Sequence, residues 1–253
     1  MAGERHQLTY RVRFDESGAD GILPASGYLR FAQDLAWVHS ANQGFDREWY
    51  TRRGLTWLVR AIALEMVEPV AFGQELRVAT EVVGFRRVWG RRRTEFLRTA
   101  DQRPLALAII DWVLLNDRGQ PARVPLELVQ HFSSASGVTF TPLRVPRDPV
   151  PADALRTEFV VRRSELDPLA HVNNAAYLDY IDEQLLVADH TPAADHLPRR
   201  YRLEYVAPAR AGTRLRAALW RAEQGWHYRL ESVDGNEILR ASVDAEPTAW
   251  VGG

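Results

Sequence analysis

Apolar and polar residues alternate along Leu8-Thr9-Tyr10-Arg11-Val12-Arg13-Phe14, the period of a half-buried strand. A turn-rich stretch, Asp15 to Gly21, follows, and the period then changes. Tyr28, Phe31, Leu35 and Val38 recur at helical spacing, predicting a helix from Ala25 to about Asn42 with Gly44 as its stop. Strand-like segments follow at Leu55–Met66, Glu75–Val83, Val88–Arg98 and Leu105–Asn116, and Asn116-Asp117-Arg118-Gly119 reads as a turn. From Thr141 to Asp153, four prolines stand among few large apolar residues, which suits an extended linker.

After the prolines the pattern starts again. A short strand (Thr157–Val161) leads to a turn at Asp167 and a helix with Tyr177, Tyr180, Ile181, Leu185 and Ala188 on its apolar face. Further strands are expected at Arg199–Tyr205, Thr213–Arg221, Trp226–Val233 and Glu237–Glu246. The second half reads as a copy of the first. Leu64-Glu65-Met66-Val67-Glu68-Pro69 lines up with Leu203-Glu204-Tyr205-Val206-Ala207-Pro208, then Gly73 with Gly212 and Leu76 with Leu215, at one constant offset. Upstream, Tyr28-Leu29-Arg30 matches Tyr177-Leu178-Asp179. Strand, long helix, then about four strands, twice over, is satisfied by an antiparallel sheet wrapped on a helix in each half, an α+β class. The expected boundaries are 1–140 for the first repeat, 141–153 for the linker and 154–253 for the second repeat.

Composition narrows the chemistry more than the fold. With 46% hydrophobic and 26% charged residues, the chain is an ordinary soluble globular sequence. A net charge of -1 gives no global pull toward nucleic acid or a membrane surface. The absence of cysteine excludes disulfides, thiolate metal ligands and a cysteine nucleophile. All 32 basic residues are arginine. The first residues carry no signal-peptide core, and the most apolar run, Pro104 to Leu115, is too short to span a bilayer, so a cytoplasmic location is expected. No G-x-S-x-G elbow, H-E-x-x-H, phosphate-binding glycine loop or metal-spaced histidine cluster occurs, so no cofactor or metal is expected.

The chemistry concentrates in Asp167-Pro168-Leu169-Ala170-His171-Val172-Asn173-Asn174, immediately before the second helix. Pro168 biases Asp167 away from helical geometry, so the acid sits in a turn. Asn173 or Asn174 is the expected N-cap, and free backbone N–H groups there favour an anion or a developing oxyanion. Arg86, Arg87, Arg91, Arg92 and Arg93 form the densest basic cluster, fitting a solvated strand face or an acidic partner.

Three stretches carry a resemblance to the acyl-ACP thioesterase family. They are Asp167…His171-Val172-Asn173-Asn174…Tyr177…Glu183, the helix segment Ala32-Gln33-Asp34-Leu35-Ala36-Trp37-Val38-His39, and Trp112-Val113-Leu114-Leu115-Asn116 with Arg123-Val124-Pro125. The resemblance implies two tandem hotdog repeats and hydrolysis of a fatty acyl-ACP thioester. It makes Asp167 and His171 the catalytic residues. Asp167 would activate water or attack the thioester carbon directly, and His171 would orient the thioester or the water. N–H groups near Asn174 and Ala175 would stabilise the oxyanion, Asn173 would fix the loop, and Tyr177 and Glu183 would support the site.

Two departures from the family's pattern stand out. Leu169 stands where the family's catalytic Asn belongs, and Pro208 and Ala209 stand where plant members carry Glu and Cys. In the first half, Ile22-Leu23-Pro24-Ala25 replaces His-Val-Asn-Asn, so that repeat is expected to supply an acyl tunnel, with Trp37, Trp57 and Leu58 as candidate walls. The arginine cluster would meet acyl carrier protein or the phosphates of coenzyme A. An acyl-CoA thioesterase, a non-catalytic acyl-binding hotdog protein and a hotdog dehydratase are the alternatives, as a monomer or homodimer.

Overall fold

Each half of the chain lays down one strand, crosses the sheet with a long helix and returns through four more strands. The computed structural model describes residues 5–132, 140–188, 197–223 and 225–245. Its first half holds β1 (His6–Arg11), α1 (Ala25–Asn42), α2 (Arg47–Thr51), β2 (Leu55–Met66), β3 (Glu75–Arg86), β4 (Trp89–Arg98), β5 (Pro104–Asn116) and α3 (Leu126–Phe132). Its second half holds β6 (Leu155–Val160), α4 (Ala176–Val187), β7 (Arg199–Tyr205), β8 (Arg214–Ala222), β9 (Gly225–Ser232) and β10 (Glu237–Ala245). Glu246, expected to end the last strand, and the first four residues lie outside the described residues.

The ten strands form one sheet in the order β1-β3-β4-β5-β2-β7-β10-β9-β8-β6. Read from its centre the order is the same in both directions, so the halves are related by a pseudo-twofold axis between β2 and β7. Those two strands pair antiparallel from Ala61 opposite Glu204 to Met66 opposite Arg199. The duplication reaches individual hydrogen bonds. Gly18 N–H donates to Ile22 O at 2.9 Å, and Asp167 N–H donates to His171 O at 2.8 Å in the equivalent turn. Gly73 (φ 79°) and Gly212 (φ 78°) hold matching left-handed positions that a side chain would strain. These are the two hotdog repeats, an antiparallel sheet wrapped on a long helix in each.

Residues from both repeats share one continuous core, including Tyr28, Leu35 and Ile62 from the first and Tyr177, Ile181 and Leu203 from the second. Along α1 the buried stripe runs Tyr28, Leu35, His39, whereas Val38 is only half-buried. At 100° per residue His39 lies closer than Val38 to the line through Tyr28 and Leu35, and its ring takes the place expected for an aliphatic side chain. Phe14, expected to close the first strand, is 82% exposed in a short 3-10 turn.

Residues 141–153 contain no helix or strand, yet they do not hang free. Leu143 N–H donates to Asp111 Oδ2 at 2.7 Å, and Val145 N–H to Glu204 Oε2 at 3.1 Å. Arg144 reaches the same Glu204 at 2.7 Å, and Arg229 donates to Asp148 O at 2.7 Å. The segment is a strap fastened by carboxylates that the sheet buries. Buried acids need such partners, because an unpaired one costs several kcal/mol. A second, smaller core of Phe45, Trp49, Tyr50, Leu114, Val124 and Leu128 lies beneath α2 and α3.

Candidate active site

Pro168 and the left-handed Ala170 (φ 60°) fold the residues before α4 into a closed turn. Asp167 N–H donates to His171 O, and Ala170 N–H returns to Asp167 O at 3.0 Å. The Asp167 carboxylate is held by its own loop. Its Oδ1 accepts from Leu169 N–H at 2.8 Å and from His171 N–H at 3.3 Å. Oδ2 has no partner among the described residues, and neither has the His171 imidazole. At the departure from the family pattern, the main chain of Leu169 therefore engages the acid, and its side chain faces the cavity.

Asp167, His171, Asn174 and Tyr177 line one cavity of about 130 Å³. Its opposite wall comes from the first repeat: Gln33 and Trp37 of α1, Trp57 to Arg60 of β2, and Trp112 of β5. Asn174 Nδ2 donates to Gln33 Oε1 at 3.1 Å, joining the start of α4 to the middle of α1. Gln33 Nε2 in turn donates to Leu29 O at 3.3 Å, which orients its carbonyl toward Asn174. Tyr205 OH donates to Asn174 O at 2.8 Å and fixes the same residue from the sheet. Burial pushes the phenols of both Tyr177 and Tyr205 well up, so each stays neutral, and Tyr205 acts as a donor. Burial lowers the Arg60 pKa, opposed by Glu204, whose carboxylate lies 3.3 Å away.

Three sequence expectations change, and Asn173 supports the loop rather than the cavity wall. Asn173 does not face this cavity. Its Oδ1 accepts from Ala175 N–H at 2.9 Å, so it caps the turn before α4. That bond occupies the Ala175 N–H, whereas the Asn174 N–H has no acceptor among the described residues. Glu183 is exposed and lines a separate groove of about 630 Å³ beside β6, together with Asn173. Six residues beyond Tyr177 is about 240° around a helix, so the two cannot share a face.

The arginine cluster, finally, is not one surface, because strand neighbours alternate faces. Arg92 is buried. Arg91 makes a two-pronged bond to Asp111 at 2.6 and 2.8 Å, and Arg93 pairs with Glu95 at 2.7 Å. Arg86 and Arg87 alone of the five are exposed.

Gln33, Arg60, Trp112 and Tyr205 line the cavity without having been singled out as site residues. Gln33 carries the one usable signal, a carboxamide four residues before Trp37 and so on the same side of the helix. Tyr205 and Arg60 sit on central strands, where an aromatic or a long side chain reads as ordinary sheet packing.

The comparisons agree with this architecture. The Acyl-ACP thioesterase N-terminal domain matches residues 3–132, and the Acyl-ACP thioesterase C-terminal domain matches residues 150–246. The chloroplastic acyl-[acyl-carrier-protein] hydrolase FATB2 of Cuphea viscosissima is 28% identical over 193 residues, covering 69% of this chain and 45% of that protein. The chloroplastic palmitoyl-acyl carrier protein thioesterase of Cuphea hookeriana is 27% identical over the same shares. The chain thus spans under half the length of these relatives.

Two solved structures share the fold end to end. An acyl-ACP thioesterase from Bacteroides thetaiotaomicron has a TM-score of 0.79 at 18% identity, covering 96% of this chain and 98% of that one. The 12:0-ACP thioesterase from Umbellularia californica has a TM-score of 0.79 at 19% identity, covering 98% and 99%. With both halves matched by the family's two domains, on a fold of the same extent, the chain belongs to the acyl-ACP thioesterase family.

Proposed function

We propose that the chain hydrolyses the thioester of a fatty acyl group on acyl carrier protein, releasing free fatty acid and the carrier thiol. One observation carries this reading. The half of the Asp167 carboxylate left without a partner opens, beside His171, onto a cavity closed by the other repeat. A thiol is a good leaving group, so a positioned base and a polarised carbonyl suffice. In the general-base route Asp167 Oδ2 takes a proton from water as the water oxygen bonds to the acyl carbon. The C–S bond then breaks, and the proton passes to the departing sulfur. Direct attack by Oδ2 on the acyl carbon instead breaks the C–S bond, expels the carrier thiolate and forms a mixed anhydride. Water then cleaves the anhydride to the fatty acid and free Asp167, and the proton it releases goes to the thiolate. In both routes the Asn174 N–H stabilises the oxyanion and His171 orients the reacting group. The Gln33 and Tyr205 bonds hold Asn174 in place.

The exposed Arg86 and Arg87 would meet an acidic carrier protein, in the cytoplasm and as part of fatty acid biosynthesis. Among the described residues, no helix is long and apolar enough to cross a membrane. A second reading, an acyl-binding protein without turnover, is favoured by Leu169 and Pro208, which bring no functional group to the cavity wall.

Thiol release from acyl-ACP and acyl-CoA panels tests these readings. Asp167→Asn keeps the acceptor for the loop N–H groups but removes the base, and activity is expected to fall by at least about a hundredfold without loss of fold. Arg87→Glu is expected to weaken turnover of acyl-ACP more than that of a short free thioester. An active wild type with an unaffected Asp167→Asn would move the site elsewhere. Acyl binding with no thiol release would establish the second reading.

A further inference from the structure

Behind the Asp167 cavity lies a second, largely apolar chamber of about 50 Å³, and Trp37, Trp57 and Trp112 line both. Gly90 leaves room there. A Cβ at this position would stand 3.2 Å from both Phe85 and Trp57. The chamber has a polar feature that an alkyl tail does not call for. Arg92, 9% exposed, forms part of its wall.

Arg92 has no carboxylate partner among the described residues. Its Nη2 donates to Ser40 Oγ at 3.1 Å, and its Nη1 lies 3.0 Å from His39 Nδ1. Burial, then the nearby Arg92 charge, lowers the His39 pKa to about 3, so both partners are neutral. Elsewhere the same chain matches its buried charges. Asp111 faces Arg91, Glu65 faces Arg200, and Glu204 faces Arg60 and Arg144. Two further groups nearby have no partner among the described residues: Trp112 Nε1, which can only donate, and His39 Nε2, which carries the proton when Nδ1 accepts from Arg92. A buried cation without a counter-charge is costly, and unpaired donors beside it add to the cost.

We propose that this chamber receives the distal end of an acyl chain that carries a carboxylate, so that the substrate class includes half-thioesters of dicarboxylic acids. The inference rests on the hydrolase reading for turnover and on the chamber alone for binding. The fold has already stripped water from Arg92, so an incoming carboxylate loses only its own hydration and gains a charge-assisted hydrogen bond. A methyl end leaves the guanidinium as it was.

The test compares kcat/KM for thiol release from acyl-ACP pairs of equal chain length, one ending in methyl and one in carboxylate, for wild type and Arg92→Met. The expected carboxylate-over-methyl ratio for wild type is about tenfold to a hundredfold, falling to unity or below in Arg92→Met. A ratio at or below unity in wild type, or one that Arg92→Met leaves intact, would overturn the proposal. An ω-hydroxyl chain that gains as much as the ω-carboxylate would overturn it too, since a neutral oxygen supplies no counter-charge. If wild type releases no thiol, the hydrolase reading fails separately. Calorimetric binding of free dicarboxylic acids against monocarboxylic acids of equal length then decides the chamber's preference by the same ratio.

Discussion

Asp182 and Gln33 occupy equivalent positions on the helices of the two repeats, and their environments have diverged. Gln33 lines the Asp167 cavity, whereas Asp182 accepts from Tyr201 OH at 2.7 Å, with Arg199 close by. Burial raises the Asp182 pKa to about 6, against the pull of Tyr201 and Arg199. The folded chain therefore holds a proton that the unfolded chain releases near pH 4. Stability falls as pH rises from about 4 to about 6, and the penalty, roughly 2–3 kcal/mol, is fully present above that window. Asp182→Asn is expected to melt higher than wild type at pH 8 and close to it at pH 4; a gap that does not change with pH would refute this account. Tyr205→Phe removes one bond to Asn174 and leaves the ring packed. We expect a stability loss of about 1 kcal/mol in denaturant titration and a larger proportional loss in kcat than in stability. Such contacts were hidden from the sequence. The partners Asn174 and Gln33 stand 141 residues apart, and only the meeting of two repeats reveals them.

Among the elements, those with clear punctuation were the ones legible in advance. The helix Ala25–Asn42 follows Pro24 and ends before Gly44, and it was read at its true limits. Leu55–Met66 and Arg199–Tyr205 were likewise read in full. Two short helices, Arg47–Thr51 and Leu126–Phe132, were not anticipated, because five or seven residues are too few to display a helical period. Asp46, whose side chain accepts from Trp49 N–H at 2.8 Å, was the one local sign of the first. The arginines of β4 were read as one surface because they are neighbours in the chain, although a strand sends neighbours to opposite faces. Asp111 shows what the sheet does with the charge instead. It is fully buried between Arg91 and the strap. Asp111→Ala would leave the half-buried Arg91 without its counter-ion and Leu143 N–H without an acceptor. A loss of about 3–5 kcal/mol in urea unfolding is expected, and a change under 1 kcal/mol would show that the strap carries little.

At the scale of the molecule, the duplication was legible because paired Gly and Pro positions keep one spacing along the strands and Tyr28 and Tyr177 match in the helices. Its symmetry about β2 and β7 was not, since no residue pattern states which strands pair across a repeat boundary. Nor could the sequence say that the proline-rich join is clamped by buried carboxylates. That clamping separates covalent continuity from physical cohesion. The halves share one sheet and one core, and the join is itself bonded to both, through Asp111 in the first and Glu204 in the second. A protease cut engineered near Asp148 would therefore break the chain without parting the halves. The nicked protein should migrate as two bands in denaturing gels, elute as one species in native chromatography and keep its thiol-releasing capacity.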